Sequence, residues 1–131
     1  MAHILAVDDS NVTRSLIQLT LETLDNIKVD TANDVERGLK LCQQNHYDII
    51  ILDYMMPDKT GLDMIDILNE QHLQTDVPIF ILSSETDHTT KEMAQIRQVR
   101  AWLKKPFRPQ MLLELITETL KDVAKKRTGP N

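Results

Sequence analysis

The sequence is poor in several features that would each define a class of protein. Its one cysteine, Cys42, excludes an intramolecular disulfide, as expected in a reducing compartment. No stretch approaches the ~18 consecutive apolar residues of a membrane span, and the N-terminus lacks a signal-peptide pattern. The 15 basic residues are outnumbered by 20 acidic ones, and the net charge of −5 argues against nucleic acid as the main partner. We therefore expect a cytoplasmic protein that neither enters a membrane nor binds nucleic acid.

Length and composition indicate one folded domain. A chain of 131 residues can bury a core of its own but is short for two domains. Hydrophobic residues make up 41% and charged residues 27%, which is ordinary for a globular protein and not for a disordered one. The four histidines share no ligand spacing, so we expect them to be surface residues: His3, His46, His72 and His88.

Short apolar runs predict the strands of a parallel sheet. They cover residues 4–7, 49–52 and 79–82, with a weaker run at residues 102–103 and a weakly marked strand at residues 28–32. The runs do not alternate between polar and apolar residues, which is typical of strands covered by helices on both faces. Segments of helical periodicity separate them. This order predicts an α/β fold, a flavodoxin-like (βα)5 doubly wound parallel sheet of five strands in the order 2-1-3-4-5.

Capping residues and periodicity place the helices. Ser10 or Asn11 can begin the first helix, and Asn33 or Asp34 the second. A weakly apolar fourth helix is predicted over residues 89–98, and a fifth with apolar positions from residue 112 to residue 123. We expect the folded domain to cover residues 1–125, followed by a basic flexible tail at residues 126–131.

Polar side chains stand where the apolar runs end. Asp8 and Asp9 follow the first run, Asp53 and Ser83 follow the second and third, and Lys105 follows the last. The carboxyl ends of parallel strands meet at one edge of a sheet, so these groups should converge. Each pair of carboxylates ~4 Å apart costs about 4 kcal/mol at an effective dielectric near 20. A hard divalent cation with oxygen ligands, such as Mg²⁺, would offset that repulsion.

The same residues suit the chemistry of an aspartyl phosphate. A bound cation would neutralise an incoming phosphoryl group, and one carboxylate could then act as the nucleophile. Lys105 offers a mobile positive charge for a phosphoryl oxygen, and Ser83 a hydrogen-bond donor. A single aspartate after a strand is more often a turn former or a helix cap, and Asp8 and Asp9 precede good capping sequence. Four strand ends with compatible chemistry are hard to explain in that way.

These motifs resemble the receiver domain of response regulators. The matching features are Asp8 and Asp9 after the first strand, Asp53 in Leu-Asp-Tyr-Met-Met-Pro, Ser83 in Leu-Ser-Ser-Glu, and Lys105 before Pro-Phe. Asp9, Asp53, Ser83 and Lys105 are separated by 44, 30 and 22 residues, as in that family. The resemblance extends over almost the whole chain, from residue 2 to about residue 125.

The resemblance implies a metal-dependent phosphoacceptor. Asp53 would accept the phosphoryl group; Asp9, Asp53 and the backbone carbonyl of Met55 would bind Mg²⁺ directly, and Asp8 would bind it through water. Met55 also stands where the family often has a polar side chain that holds the hydrolytic water, so its side chain should slow dephosphorylation. Glu85 could hold that water from the opposite side.

The resemblance also implies a switch. Lys105 would pair with the carboxylate or the phosphoryl group, Ser83 would move toward a phosphoryl oxygen, and Trp102 takes the place of the switch aromatic. The bond between Lys105 and Pro106 is expected to be cis.

The expected function is two-component signalling by a stand-alone receiver. A histidine kinase would phosphorylate Asp53, and the face formed by the fourth helix, the fifth strand and the fifth helix would then bind a target, one option being a partner of the chemotaxis type. The alternatives are a phosphorelay shuttle or a phosphate sink. A phosphatase of the haloacid-dehalogenase type needs an acidic residue at position 55, which is methionine. A flavodoxin-type flavin site is disfavoured because Asp8 and Asp9 would repel a phosphate.

Overall fold

The computed structural model describes residues 1–84, 92, 95, 97 and 99–128. Five strands form one parallel sheet in the order β2-β1-β3-β4-β5. The strands are β1 (Ala2–Val7), β2 (Ile27–Ala32), β3 (Ile49–Asp53), β4 (Ile79–Ser83) and β5 (Ala101–Lys104), and the helices are α1 (Asn11–Leu21), α2 (Val35–Gln44), α3 (Gly61–Glu70) and α4 (Pro109–Thr128). This confirms the flavodoxin-like α/β prediction. The helix predicted over residues 89–98 lies largely outside the described residues, so α4 is the C-terminal helix.

Both faces of the sheet are covered, which explains the uninterrupted apolar runs. All five residues of β3 are buried. Leu5 and Leu52 belong to the cluster that packs on α2 and α3, whereas Ile4 and Ile51 belong to the cluster that packs on α1 and α4. Successive residues of one strand therefore enter two different cores. The strand ends are therefore anchored by packing on both faces of the sheet.

Side-chain caps begin three of the helices. Ser10 and Asp34 each accept a hydrogen bond from the backbone N–H three residues on, as the sequence predicts for α1 and α2. Thr60 and Asp63 form a reciprocal capping box at the start of α3, because each side chain accepts the other's backbone N–H. These caps fix the points where the loops at the carboxyl edge of the sheet turn into helices.

The C-terminal helix extends further than predicted. It continues to Thr128, so residues 126–128 are helical, and the domain boundary expected after Lys125 stays a prediction. Neither glycine nor proline interrupts this segment before Gly129, and basic residues in a last turn complement the helix dipole. Residues 129–131 lie outside the described part of the chain.

One expectation about the histidines is wrong. His3 is half-buried on β1, with its Nε2 2.6 Å from Asp30 Oδ2 and its ring centroid 4.6 Å from that of Tyr47. The buried Tyr47 hydroxyl donates to the same oxygen of Asp30 at 2.8 Å. The three side chains come from different elements, so no local pattern around His3 could indicate the cluster. It lies at the amino end of the sheet, away from the strand ends that carry the acidic residues.

Candidate functional site

The sheet register brings the polar residues to one edge. In the parallel ladders, Val7 pairs with Leu52, and Asp53 pairs with Leu82. Ser83, the last residue of β4, pairs with Lys104 on β5. Asp8, Asp53, Ser83 and Lys105 therefore end their strands at nearly the same level, as the sequence predicts.

Three carboxylates converge at this edge. Asp8, Asp9 and Asp53 each offer an oxygen, and these three oxygens lie within 4.8 Å of one another. Asp8 is 1% exposed and Asp53 is 5% exposed, whereas Asp9 faces the solvent. The group is thus closed on the sheet side and open beside Asp9. Such an acidic group is able to bind a metal ion, and its hard oxygen ligands suit Mg²⁺.

Lys105 bridges the two buried carboxylates. Its Nζ lies 2.8 Å from Asp8 Oδ2 and 3.1 Å from Asp53 Oδ1. Its backbone N–H donates to the carbonyl of Ser83 at 2.8 Å, which anchors the residue to β4, and the peptide bond to Pro106 is cis as expected. One ammonium against three carboxylates leaves a local excess of negative charge, which a divalent cation would neutralise.

Burial and neighbouring charges shift the pKa values of Asp53 and Lys105. Burial, and then the neighbouring Asp8, raise the pKa of Asp53 from 3.8 to about 6, although Lys105 partly opposes the rise. Burial tends to lower the pKa of Lys105, but the contacts with Asp8 and Asp53 outweigh it and raise that pKa. At neutral pH Lys105 is therefore charged and Asp53 is mostly a carboxylate, the form that can act as a nucleophile.

The first loop fixes Asp8 from three sides. Besides the contact with Lys105, Asp8 Oδ1 accepts the backbone N–H of Ser10 at 2.8 Å, and Arg14 donates to the Asp8 carbonyl at 2.6 Å. Arg14 was not among the residues singled out from the sequence. The sequence does contain a sign of its role: Arg14 is a cation near the N-terminus of α1, where it opposes the helix dipole and so needs a compensating partner.

The loop between β3 and α3 is closed at its base. An isolated β-bridge joins Met55 to Thr60, and the Gly61 N–H donates to the Tyr54 carbonyl at 2.9 Å. A Cβ atom on Gly61 would lie 2.6 Å from the Asp53 carbonyl oxygen, so only glycine lets α3 begin this close to the strand end. Met55 is 58% exposed. The metal-binding role expected of its carbonyl stays a prediction.

The two residues expected to act as a switch lie on neighbouring strands. Ser83 is buried, while Trp102 on β5 is partly buried with its ring centroid 5.7 Å from that of Tyr54. The indole Nε1 of Trp102 is buried, and within the described part of the chain it has no hydrogen-bond partner. A buried unpaired donor costs about 1–3 kcal/mol, which favours any rearrangement that pairs it. Glu85, expected to modulate dephosphorylation, lies outside the described residues.

Comparison with known proteins identifies the family. The family model described as "Response regulator receiver domain" matches residues 4–117. The chain belongs to this family. It is 31% identical over 119 residues to the two-component response regulator ORR3 of Oryza sativa subsp. indica, a match that covers 90% of each protein.

Solved structures of response regulators share the fold. Vibrio cholerae chemotaxis protein CheY4 gives a TM-score of 0.84 at 34% identity, over 91% of this chain and 98% of that one. Response regulator TrrA of Thermotoga maritima, solved in complex with Mg²⁺-BeF, gives 0.78 at 26% identity, over 91% and 99%. The receiver resemblance noted from the sequence is confirmed.

Family membership establishes the general role of the chain. It is a CheY-like receiver domain of a two-component response regulator. Receiver domains are signalling switches that interact with histidine kinases and downstream targets, and they are generally not classed as enzymes. In the part of the chain that the structure describes, no helix is both long enough and apolar enough to cross a membrane.

Proposed function

We propose that this receiver is a phosphorylation switch in which Asp53 accepts a phosphoryl group from a histidine kinase in a Mg²⁺-dependent reaction. The observation that carries the proposal is the position of Lys105 Nζ, in contact with both Asp8 and Asp53 beside the open carboxylate of Asp9. This arrangement places the nucleophile Asp53, the positive charge of Lys105 and the carboxylate ligands for a cation next to one another.

The residues present fit a Mg²⁺ ion. Asp9, Asp53 and the carbonyl of Met55 would hold it directly, and Asp8 through water. When bound, the ion supplies positive charge that stabilises the phosphoryl oxygens during transfer. A carboxylate oxygen of Asp53 forms the bond to phosphorus while the phosphorus–nitrogen bond to the donor imidazole breaks, and its electron pair leaves with that nitrogen.

The remaining site residues act on the transferred group. Lys105 exchanges its contact with the Asp53 carboxylate for a phosphoryl oxygen, and the Ser83 hydroxyl donates to another. Movement of Ser83 leaves room beside β4 for Trp102 to change position. The exposed thioether of Met55 offers only a weak acceptor to the hydrolytic water, so it prolongs the phosphorylated state.

The output of the switch is a change of affinity for a partner. A target protein binds the face that includes β5 and α4, and the 34% identity to a Vibrio cholerae chemotaxis protein supports a chemotaxis-type partner. A cytoplasmic location is consistent with the buried, unpaired Cys42. A phosphorelay shuttle or phosphate sink would instead show no gain of affinity for a non-kinase target on phosphorylation.

The emission of Trp102 tests the switch. This is the only tryptophan, and its ring lies against Tyr54, the residue after Asp53. We expect Mg²⁺ and then beryllofluoride, an acyl-phosphate mimic, each to change its intensity or wavelength. Asp53→Asn is the control and should abolish the response to beryllofluoride. An emission spectrum that neither addition changes in the wild type would contradict a switching role for Trp102.

A further inference from the structure

An aspartate outside the acidic group ties the loop after β3 to a neighbouring helix. Asp58, near the tip of that loop, accepts the backbone N–H of Val35 at 3.3 Å and that of Glu36 at 3.2 Å. These are the first two residues of α2. The helix has its own N-cap, Asp34, which accepts the N–H of Arg37 at 2.8 Å. Two aspartates from distant parts of the chain thus share one helix N-terminus.

The tie complements the closure of the loop at its base. Met55 and Thr60 are joined by a β-bridge and Gly61 is bonded to Tyr54, so the base holds its shape. Those contacts are internal to the loop and its flanks. The Asp58 carboxylate also interacts with the backbone N–H groups of Asp58 and Lys59 within the loop, but its hydrogen bonds from Val35 and Glu36 reach a different element. The side chain of Met55 is largely exposed and can add little packing to hold the loop in place.

We propose that Asp58 is a positioning residue that sets the Met55 carbonyl at the metal site by holding the loop to α2. Asp58 does so without contacting the ion. The inference rests on the proposed function, because it takes the loop carbonyl as a ligand of Mg²⁺. It adds a residue that the acidic group and its expected ligands do not include.

The ionisation of Asp58 supports a contact with α2 that persists throughout the neutral pH range. Burial tends to raise its pKa, but hydrogen bonds from four backbone N–H groups, those of Val35, Glu36, Asp58 itself and Lys59, outweigh this and lower it. A carboxylate at a helix N-terminus is also favoured by the helix dipole. Asp58 is therefore ionised throughout the neutral range, and the contact does not depend on small changes of pH.

The coupling must act in both directions. If holding the loop favours Mg²⁺, then bound Mg²⁺ favours the held loop by the same factor. Hydrogen exchange of the Val35 and Glu36 amides should accordingly slow when Mg²⁺ is added. Exchange of the Arg37 amide, bonded to Asp34, should change less.

Calorimetric titration with Mg²⁺ of the wild type and three variants tests the proposal. Asp58→Ala should weaken Mg²⁺ binding about tenfold, the effect typical of losing a residue that orients a metal ligand. Asp58→Asn keeps an acceptor oxygen without the charge and should recover most of the affinity. Asp34→Ala is the matched control, because it removes a cap from the same helix, at a cost of about 1 kcal/mol in stability, without touching the loop.

Each other outcome overturns the proposal in a distinct way. If Asp58→Ala bound Mg²⁺ with wild-type affinity, the hydrogen bonds between Asp58 and α2 would have no part in metal binding. Equal losses in Asp34→Ala and Asp58→Ala would assign the effect to fraying of α2. If Asp58→Asn bound Mg²⁺ as weakly as Asp58→Ala does, the negative charge of Asp58, and not its hydrogen bonds to α2, would be what favours the ion. A wild type that binds no Mg²⁺ would overturn the proposed function and this inference together, whereas tight wild-type binding with unchanged variants overturns the inference alone.

Discussion

Replacing Lys105 with methionine should lower the free energy of unfolding by about 3 kcal/mol at pH 7.5 in a chelator, the range seen when one partner of a buried ion pair is removed. Lys105 Nζ contacts Asp8 and Asp53, both buried, and no other cation is seen in contact with either carboxylate among the described residues. Methionine fills similar space without a charge. The two carboxylates would then repel each other in a medium of low dielectric.

Denaturant unfolding measures this loss. Lys104→Met is the control, since it makes the same change at an exposed neighbour and should alter stability by less than about 0.5 kcal/mol. Adding Asp53→Asn to Lys105→Met should restore part of the stability, because it removes one of the two repelling charges. A Lys105→Met protein as stable as Lys104→Met would mean that the ammonium does not offset the carboxylates.

Asp53→Asn alone should stabilise the metal-free protein above pH 6. Burial and Asp8 raise the pKa of Asp53 from 3.8 to about 6, so the folded state holds this proton more tightly than the unfolded chain does. The free energy of unfolding of the wild type therefore falls as the pH rises from about 4 to about 6, and it stays lower above that range. At about 1.4 kcal/mol per pKa unit, the difference is on the order of 3 kcal/mol.

The comparison of pH profiles isolates this residue. Unfolding of wild type and Asp53→Asn in chelator from pH 4 to pH 8 should give two curves that lie close together near pH 4, separate between about pH 4 and pH 6, and keep a constant difference above pH 6. Asp25→Asn, at an exposed position, serves as the control and should follow the wild type. Parallel curves for wild type and Asp53→Asn would show that the carboxylate of Asp53 is not destabilised by burial.

The sequence predicts the fold and the acidic site for one physical reason. Strands covered on both faces leave uninterrupted apolar runs, so the polar residues that follow each run mark the carboxyl edge of the sheet. Asp8, Asp53 and Lys105 could be found in this way because their positions depend on strand ends and not on distant contacts. The caps Ser10 and Asp34 follow similarly from local backbone requirements.

Residues that act through distant partners could not be found in this way. Asp58 reaches the N-terminus of α2 across 22 to 23 residues, and His3 reaches Asp30 across 27. Neither spacing follows from a helix or a strand period. Aspartate in a loop with Pro57 and Gly61 nearby is ordinary turn sequence, so its second role appears only when the loop is placed against the helix.

The most direct test of the central claim is the intact mass of the protein after incubation with acetyl phosphate. With Mg²⁺ present, the wild type should gain one phosphoryl group, and with chelator it should gain none. Asp53→Asn should gain none in either condition, although its fold and Lys105 are retained. Labelling of Asp53→Asn equal to that of the wild type, or wild-type labelling that is unaffected by removing Mg²⁺, would contradict a Mg²⁺-dependent phosphoacceptor at Asp53.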